Sequence, residues 1–99
     1  MSVINLKFND KYIPWLEQGI KTCTTRRSSK GKEGDAFYVN GSHYFIYQIC
    51  KTKFYLALND FEKEGFSSVQ EFYDAIKKIY PDITLDDEVF MHFFIRREI

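Results

Sequence analysis

The sequence predicts a small α+β domain in which about five strands form a curled sheet or an incomplete barrel beside three helices. Three observations favour this fold class. Hydrophobic residues make up 44% and charged residues 28% of the chain, as in ordinary globular domains. An Asn-Gly pair separates two strand-like runs, and a strongly amphipathic helical segment follows later. Because 99 residues can build one hydrophobic core but not two, we predict a single domain over 1–99.

The first quarter of the chain predicts a strand, a short helix and a second strand. Apolar and polar residues alternate over Val3–Phe8, which is the period of a half-buried strand. Asn9-Asp10 provides N-cap chemistry for a short helix that closes at Gly19. The β-branched run Thr22–Thr25 favours a second, extended strand.

The middle of the chain predicts a hairpin and a short helix. Asn40-Gly41 is the strongest short signal for a two-residue hairpin turn, and it joins predicted strands over Ala36–Val39 and His43–Phe54. The segment Asn59–Glu64 favours a short helix that ends at Gly65.

The last third predicts the clearest helix and a final strand. A capping box of Ser68 and Glu71, or of the pair one residue earlier, can start the helix, and Pro81 stops it. The strand over Glu88–Arg97 carries apolar residues on both faces, so we expect both faces to be at least partly covered. The apolar stripe of the helix consists of Val69, Phe72, Tyr73, Ile76, Ile79 and Tyr80.

The charge distribution favours a small anionic ligand over a long polyanion. Fourteen basic and fourteen acidic residues cancel, so the chain lacks the general positive charge of a non-specific nucleic-acid binder. The segment Lys21–Lys32 nevertheless holds five basic residues and no acidic one. A neutral protein with one basic edge suits a nucleotide or another small anion, although a solvated basic loop would give the same pattern.

Neither a metal site nor a bound cofactor is expected. Cys23, Cys50, His43 and His92 have metal-binding side chains, but no two of them have zinc-site spacing, so buried thiols and sheet histidines are the simpler interpretation. No glycine motif for phosphate binding is present.

The expected location is the cytoplasm. The N-terminus lacks a secretory pattern, and two cysteines without such a signal are expected to stay reduced. The longest uncharged apolar run, Val89–Ile95, is too short to span a bilayer, so no membrane partner is expected.

The segment Gly19–Arg27 is the strongest candidate for a functional site. On a regular strand, Thr22, Thr24 and Arg26 share one face and Lys21 points the other way. Lys21 can join that face only if the backbone turns at the helix-to-strand junction, which Gly19 permits. An ammonium, hydroxyls and a guanidinium would then converge on one pocket. An exposed strand edge with charges for solubility is the alternative interpretation.

The pattern Gly19-x-Lys21-x-x-Thr24-x-Arg26 resembles the signature segment of the ASCH domain family, a relative of the PUA-like RNA-binding fold. A Gly34-Asp35 turn before a strand and a Glu64-Gly65-Phe66 lead-in to the last helix extend the resemblance over nearly the whole chain. The resemblance implies a small PUA-like incomplete β-barrel of five or six strands with about three helices. It also implies a cleft that binds RNA or a nucleoside.

One small branch of this family hydrolyses the acetyl amide of N4-acetylcytidine with a lysine, a threonine and a glutamate. The resemblance implies that these are Lys21, Thr24 and Glu71, although Glu71 could equally be only the capping-box acid of its helix. The chain departs from the amidohydrolases at Cys23, at Arg27 and in a longer Glu64-Gly65-Phe66 lead-in. Further substrate- or RNA-binding residues are expected to be Thr22, Arg26 and Arg27.

Two main hypotheses about function therefore remain open. In the first, Thr24 attacks an amide of an acylated pyrimidine nucleoside while Lys21 takes its proton, because a threonine hydroxyl needs a neighbouring base. In the second, the chain is a non-catalytic module that binds RNA or a modified nucleotide through basic residues and an aromatic ring. An interaction module without a ligand is a third possibility.

Overall fold

The computed structural model describes residues 2–97, and its α+β architecture confirms the predicted fold class. A four-stranded antiparallel sheet has the strand order β1-β4-β3-β2, so the described part of the chain has one strand fewer than the five that the residue patterns predict. No helix in this range is long and apolar enough to cross a bilayer. The elements are α1 (Ile13–Glu17), β1 (Cys23–Arg26), β2 (Ala36–Val39), β3 (Ser42–Lys53), α2 (Phe54–Ala57), α3 (Val69–Ile79) and β4 (Glu88–Arg97), with 3-10 turns at Asp10–Tyr12 and Leu58–Asp60.

The strand predicted over Val3–Phe8 is absent. Only Val3 forms a bridge, parallel to Ala36 at the start of β2, with a 2.8 Å hydrogen bond from the Ile4 N–H to the Ala36 carbonyl. The following residues cross one face of the sheet and bury Leu6 against it. The alternation of apolar residues therefore indicated burial correctly, but among the described residues the backbone of this segment pairs with β2 at a single bridge and not along its length.

The short helix of the middle region lies earlier than predicted. Helix α2 begins directly after β3, at Phe54, and continues into the 3-10 turn that ends at Asp60. It starts there because the side chains of Phe54 and Ala57 are completely buried under the sheet. The predicted range Asn59–Glu64 holds mostly turns, and Gly65 closes them with φ +99°.

The predicted hairpin and last helix are confirmed. Asn40 (φ 54°) and Gly41 (φ 83°) both have positive φ, as a tight hairpin turn between β2 and β3 requires. Helix α3 begins at the predicted cap, because the Ser68 hydroxyl accepts a hydrogen bond from the Glu71 N–H at 3.1 Å. Pro81 follows one residue after its C-cap.

Two hydrophobic clusters cover opposite faces of the sheet. On one face, Phe72 and Ile76 of α3 pack with Met91 of β4. On the other face, Leu6 and Leu16 pack with aromatic rings from three strands in the second cluster. These rings are Phe37, Tyr44 and Phe94, with Phe37 and Tyr44 stacked at 5.2 Å between centroids. Strand β1 is a short edge strand of the sheet, and the site described next lies beside it.

Candidate functional site

A cleft of about 400 Å³ opens between the N-terminal segment, strand β1 and helix α3. Its volume lies within the range of small-molecule sites, and its walls are mainly apolar, as such sites usually are. The aromatic part of its lining consists of Phe8, Tyr12, Phe66, Phe72 and Tyr80. The polar part consists of Lys7, Asn9, Lys21, Thr24, Thr25, Arg26 and Glu64.

Lys21 reaches the cleft because the chain reverses at Gly19. Gly19 has φ +75°, and its N–H bonds the Leu16 carbonyl at 3.2 Å. The N–H groups of the next two residues both bond the Trp15 carbonyl, which is the hydrogen-bond pattern of a helix closed by a left-handed glycine. The backbone turn that the sequence permitted at this junction is therefore present.

Lys21 forms a buried ion pair with Glu64. The Lys21 ammonium lies 2.9 Å from Glu64 Oε1 and 3.0 Å from the Glu64 carbonyl oxygen, and both side chains are at most 4% exposed. The second carboxylate oxygen accepts a 2.6 Å hydrogen bond from the Thr25 hydroxyl. Because a buried charge is costly without partners, this arrangement is possible only while every member is present.

Aromatic rings surround this ion pair. The Lys21 ammonium lies 5.2 Å from the Tyr12 ring centroid and 5.8 Å from that of Phe66, within the range of cation–π attraction. Burial, and next the negative charge of Glu64, raise the pKa of Tyr12 above its ordinary value. Tyr12 therefore remains a neutral hydroxyl that can donate a hydrogen bond inside the cleft.

Thr24 lies on the other face of β1 from Thr25 and is paired with Arg26. The Arg26 Nε–H donates to the Thr24 hydroxyl at 3.1 Å, and Nη2 donates to the Lys7 carbonyl at 2.7 Å. The guanidinium lies 5.2 Å from the Phe8 ring centroid. Partial burial lowers the pKa of Arg26 from its ordinary high value, and it remains a cation. Arg26 thus ties β1 to the N-terminal wall of the cleft.

His92 on the neighbouring strand β4 contacts the backbone of β1 at Thr24. Its Nε2 accepts a 2.9 Å hydrogen bond from the Lys30 N–H, so the ring proton lies on Nδ1 and is donated to the Thr24 carbonyl at 3.1 Å. The ring is completely buried, and this burial lowers its pKa. The sequence indicated a sheet histidine but not that it positions Thr24.

Glu71 lies outside the cleft. Its carboxylate accepts hydrogen bonds from the backbone N–H and the hydroxyl of Ser67 at 2.9 Å and 2.7 Å, and these bonds lower its pKa. The side chain is exposed at the start of α3. The structure therefore does not bring Glu71 together with Lys21 and Thr24. The carboxylate that it brings to Lys21 belongs to Glu64, seven residues earlier.

Thr22 and Arg27 also lie beside the cleft rather than in its lining. The Thr22 hydroxyl is 3.5 Å from the Lys63 carbonyl. Arg27 donates to Asp82 at 2.9 Å, lies 3.9 Å from Asp87, and has its guanidinium 5.4 Å from the Tyr80 ring centroid. Arg27 therefore supports the Tyr80 wall, and its charge is already engaged by acids.

The remaining reactive groups do not form a separate site. Within residues 2–97, no three histidine, cysteine, aspartate or glutamate side chains lie together as a metal site would require. Cys23 is completely buried behind Glu64, and its pKa is raised strongly by burial and next by that carboxylate. Its thiol therefore stays protonated and is a poor nucleophile.

Comparisons with known proteins are informative at the level of the fold. No protein-family model matches the sequence, and no curated protein matches it. The structure is similar to the crystal structure of the ASCH domain from Lactobacillus crispatus JV V101, with a TM-score of 0.78 and 11% sequence identity over 96% of this chain and 79% of that one. The chain has the fold of an ASCH domain.

A second solved structure has the same architecture. The hypothetical protein PH0355 gives a TM-score of 0.71 with 16% identity, and the match covers 97% of this chain and 96% of the other. At such low identities these similarities show the fold alone. They agree with the predicted PUA-like architecture, while the role of the cleft has to be argued from its own residues.

Proposed function

We propose that this chain is an ASCH-domain protein whose cleft binds a pyrimidine nucleoside and hydrolyses an acyl amide on its base, as in N4-acetylcytidine. The observation that carries the proposal is the composition of the cleft floor. A buried Lys21–Glu64 pair and the Thr24 hydroxyl line one pocket whose walls are aromatic. This set supplies a nucleophile, a proton carrier and a flat apolar surface for a base.

The aromatic walls support binding of a planar base. Tyr12 and Phe66 lie 6.0 Å apart in an edge-to-face arrangement above the Lys21 ammonium, and Phe8 and Tyr80 line the same cleft. Proteins recognise unpaired bases by stacking them on such rings and by hydrogen-bonding their edges. The neutral Tyr12 hydroxyl and the Asn9 side chain line the cleft and can form hydrogen bonds with the edge of a base.

The proposed reaction proceeds through an acyl-enzyme. Thr24 Oγ attacks the acyl carbonyl carbon, and its proton passes to the Lys21 amine, which has given one proton to Glu64. The carbon–nitrogen bond then breaks, and Lys21 returns the proton to the leaving N4 amine. Water then gives a proton to the Lys21 amine and attacks the ester carbonyl carbon, the bond to Thr24 Oγ breaks, and Lys21 returns the proton to that oxygen. The products from N4-acetylcytidine are cytidine and acetate.

In this proposal Glu64, rather than Glu71, is the carboxylate that accepts the Lys21 proton, because Glu64 contacts Lys21 whereas Glu71 contacts Ser67. The 2.9 Å distance between Lys21 Nζ and Glu64 Oε1 suits transfer of that proton. The Arg26 Nε–H, which already donates to Thr24, would stabilise negative charge that develops on the hydroxyl oxygen.

One observation favours the alternative, a non-catalytic module that binds RNA or a modified nucleotide. Among the described residues, the Thr24 hydroxyl has Arg26 as its partner, and the Lys21 ammonium is held by Glu64. No direct hydrogen bond joins Lys21 to Thr24 in this range. In the alternative, the Lys21–Glu64 pair shapes the pocket and the substrate is only bound.

Substitution of the nucleophile separates the two proposals. Thr24→Val keeps the β-branched shape and removes only the hydroxyl, so it should abolish hydrolysis of N4-acetylcytidine while the circular dichroism spectrum stays unchanged. Lys21→Met, assayed at a temperature at which circular dichroism shows it folded, should be equally damaging, and the double variant little worse than either, because groups that act as a unit are not additive. Product formation is followed by liquid chromatography.

A binding module would respond differently to the same variants. Thr24→Val would then cost about one hydrogen bond, ~0.5–1.5 kcal/mol of affinity for the nucleoside. The Lys21 effect would add to it independently. Rapid turnover by Thr24→Val would eliminate Thr24 as the nucleophile, and an inactive wild type on acylated nucleosides would favour the binding module.

A further inference from the structure

One face of the sheet is covered by helix α3 at one end only. Side chains of β4 on this face are buried as far as Phe93, whereas Ile95, two residues later on the same side, is 47% exposed. Strand pairing of Ile95 with Phe45 extends the exposed region to β3, and pairing of His43 with Tyr38 extends it to β2. This surface, the aromatic sheet face, consists of Tyr38, His43, Phe45, Tyr47, Ile95 and Arg97.

The aromatic sheet face presents several planar groups to solvent. Tyr38 is half exposed and stacks on His43 with 4.9 Å between ring centroids and 24° between planes. The Arg97 guanidinium lies 4.1 Å from the centroid of the Phe45 ring. Tyr47, which lies in the β-bulge of β3, is also about half exposed, and its ring is 6.4 Å from that of Phe93.

Two cations lie on or beside this face. None of its six residues is acidic, and Arg97 provides one fixed cation. A second cation borders it, since the Lys63 ammonium lies 5.4 Å from the Phe93 ring centroid. Although the whole chain has no net charge, this surface therefore combines exposed aromatic rings with two cations.

We infer that the aromatic sheet face binds single-stranded nucleic acid, with bases stacked on Tyr38, Tyr47 and the Arg97 plane and phosphates near Arg97 and Lys63. Aromatic rings beside cations are the surface that unpaired, stacked bases and their backbone require. A duplex would not fit this chemistry, because its base faces are already stacked on one another.

The position of Lys63 connects this face with the cleft. Lys63 lies over Phe93 at the border of the face, and the next residue, Glu64, extends its carboxylate into the cleft. The Lys63 carbonyl is fixed by a 2.7 Å hydrogen bond from the Thr22 N–H. If the proposed function holds, on which this step rests, the substrate is an acylated cytidine within a single strand rather than the free nucleoside.

Fluorescence anisotropy with labelled oligonucleotides of about 12 nucleotides tests the inference without any modified base. Unmodified single-stranded RNA, single-stranded DNA and duplex RNA are compared, so the test does not depend on hydrolysis. Tyr38→Ala should weaken single-strand binding about tenfold, and Arg97→Gln should do likewise. Two neutralised phosphates predict a slope of about −1.4 for log affinity against log salt concentration.

The chain supplies a matched control for each variant. Tyr55 is exposed to nearly the same extent as Tyr38 but lies on α2, so Tyr55→Ala should leave affinity within twofold. Arg96 precedes Arg97 but points to the other side of the sheet, where it donates to the Glu17 carbonyl at 3.1 Å. Arg96→Gln removes the same charge and should also leave affinity within twofold.

Several outcomes would overturn the inference. These are equal affinities in all four variants, tighter binding of the duplex than of single strands, and absence of single-strand binding. A concentration-dependent dimer that Tyr38→Ala abolishes would assign the face to a second copy of the chain instead. Binding of single-stranded RNA, DNA or both, with losses confined to Tyr38→Ala and Arg97→Gln, supports it even if free N4-acetylcytidine is not hydrolysed.

Discussion

Loss of Lys21 should destabilise the fold strongly. Lys21→Met leaves the Glu64 carboxylate buried without its ion-pair partner, while the Thr25 hydroxyl still donates to it. Removing one partner of a buried ion pair costs about 3–5 kcal/mol, because the other charge is left uncompensated. In a chain of this length each kcal/mol lowers Tm by about 4–8 °C, so Tm should fall by at least about 12 °C.

The free energy of unfolding is measured with urea and Tm by heating, both followed by circular dichroism. Two further variants are compared. Lys21→Met combined with Glu64→Gln removes the charge but keeps an oxygen for Thr25, so it should recover more than half of the lost stability. Lys51→Met breaks the exposed pair of Lys51 and Glu88 at 3.5 Å and should cost far less. A Lys21→Met variant as stable as Lys51→Met would refute the burial argument.

Two further predictions concern the support of the site. Burial lowers the pKa of His92 in the folded state. As the pH falls through about 6.5, the unfolded state therefore takes up the proton first. The free energy of unfolding should decrease until the folded state is also protonated. His92→Gln should lack this component when urea unfolding is compared at pH 7.5 and pH 5.5, each being about one unit from that value, and an identical pH response would contradict it. Gly65→Ala should destabilise the fold more than Gly34→Ala. Both positions have φ near +100°, but only at Gly65 would a Cβ lie 2.6 Å from Trp15 Cε3. Equal losses of stability in urea unfolding would contradict the packing of residue 65 on Trp15.

The parts of the fold that depend on local chemistry could be predicted from the sequence. The Asn40-Gly41 turn, the cap at Ser68 and the glycine reversal at Gly19 each depend on residues within one or two turns of the chain. The missing strand over Val3–Phe8 shows the limit of such patterns. Alternation reports which side chains are buried, whereas a strand also needs backbone hydrogen bonds to a neighbour along its length, and this segment has a bridge to β2 only at Val3.

Sequence patterns identified only those residues of the candidate site that lie in one continuous segment of the chain. Lys21, Thr24 and Arg26 follow one another in the chain and line one cleft. Glu64 pairs with Lys21 across 43 residues. The Glu64-Gly65-Phe66 segment formed part of the family resemblance, but nothing in it indicated that this acid contacts Lys21. Glu71 matches a capping box, and the contacts with Ser67 fulfil that local role. The role of Glu64 is recognisable only in the folded structure, where Lys21 lies beside it.

Hydrolysis of N4-acetylcytidine by wild type, Glu64→Gln and Glu71→Gln tests the central claim most directly. Release of cytidine and acetate is quantified under single-turnover and steady-state conditions, with folding of each variant confirmed by circular dichroism. We expect turnover by the wild type, near-complete loss in Glu64→Gln, and retention in Glu71→Gln, whose carboxylate only caps α3. Full activity of Glu64→Gln, or loss confined to Glu71→Gln, would contradict the site built on the Lys21–Glu64 pair.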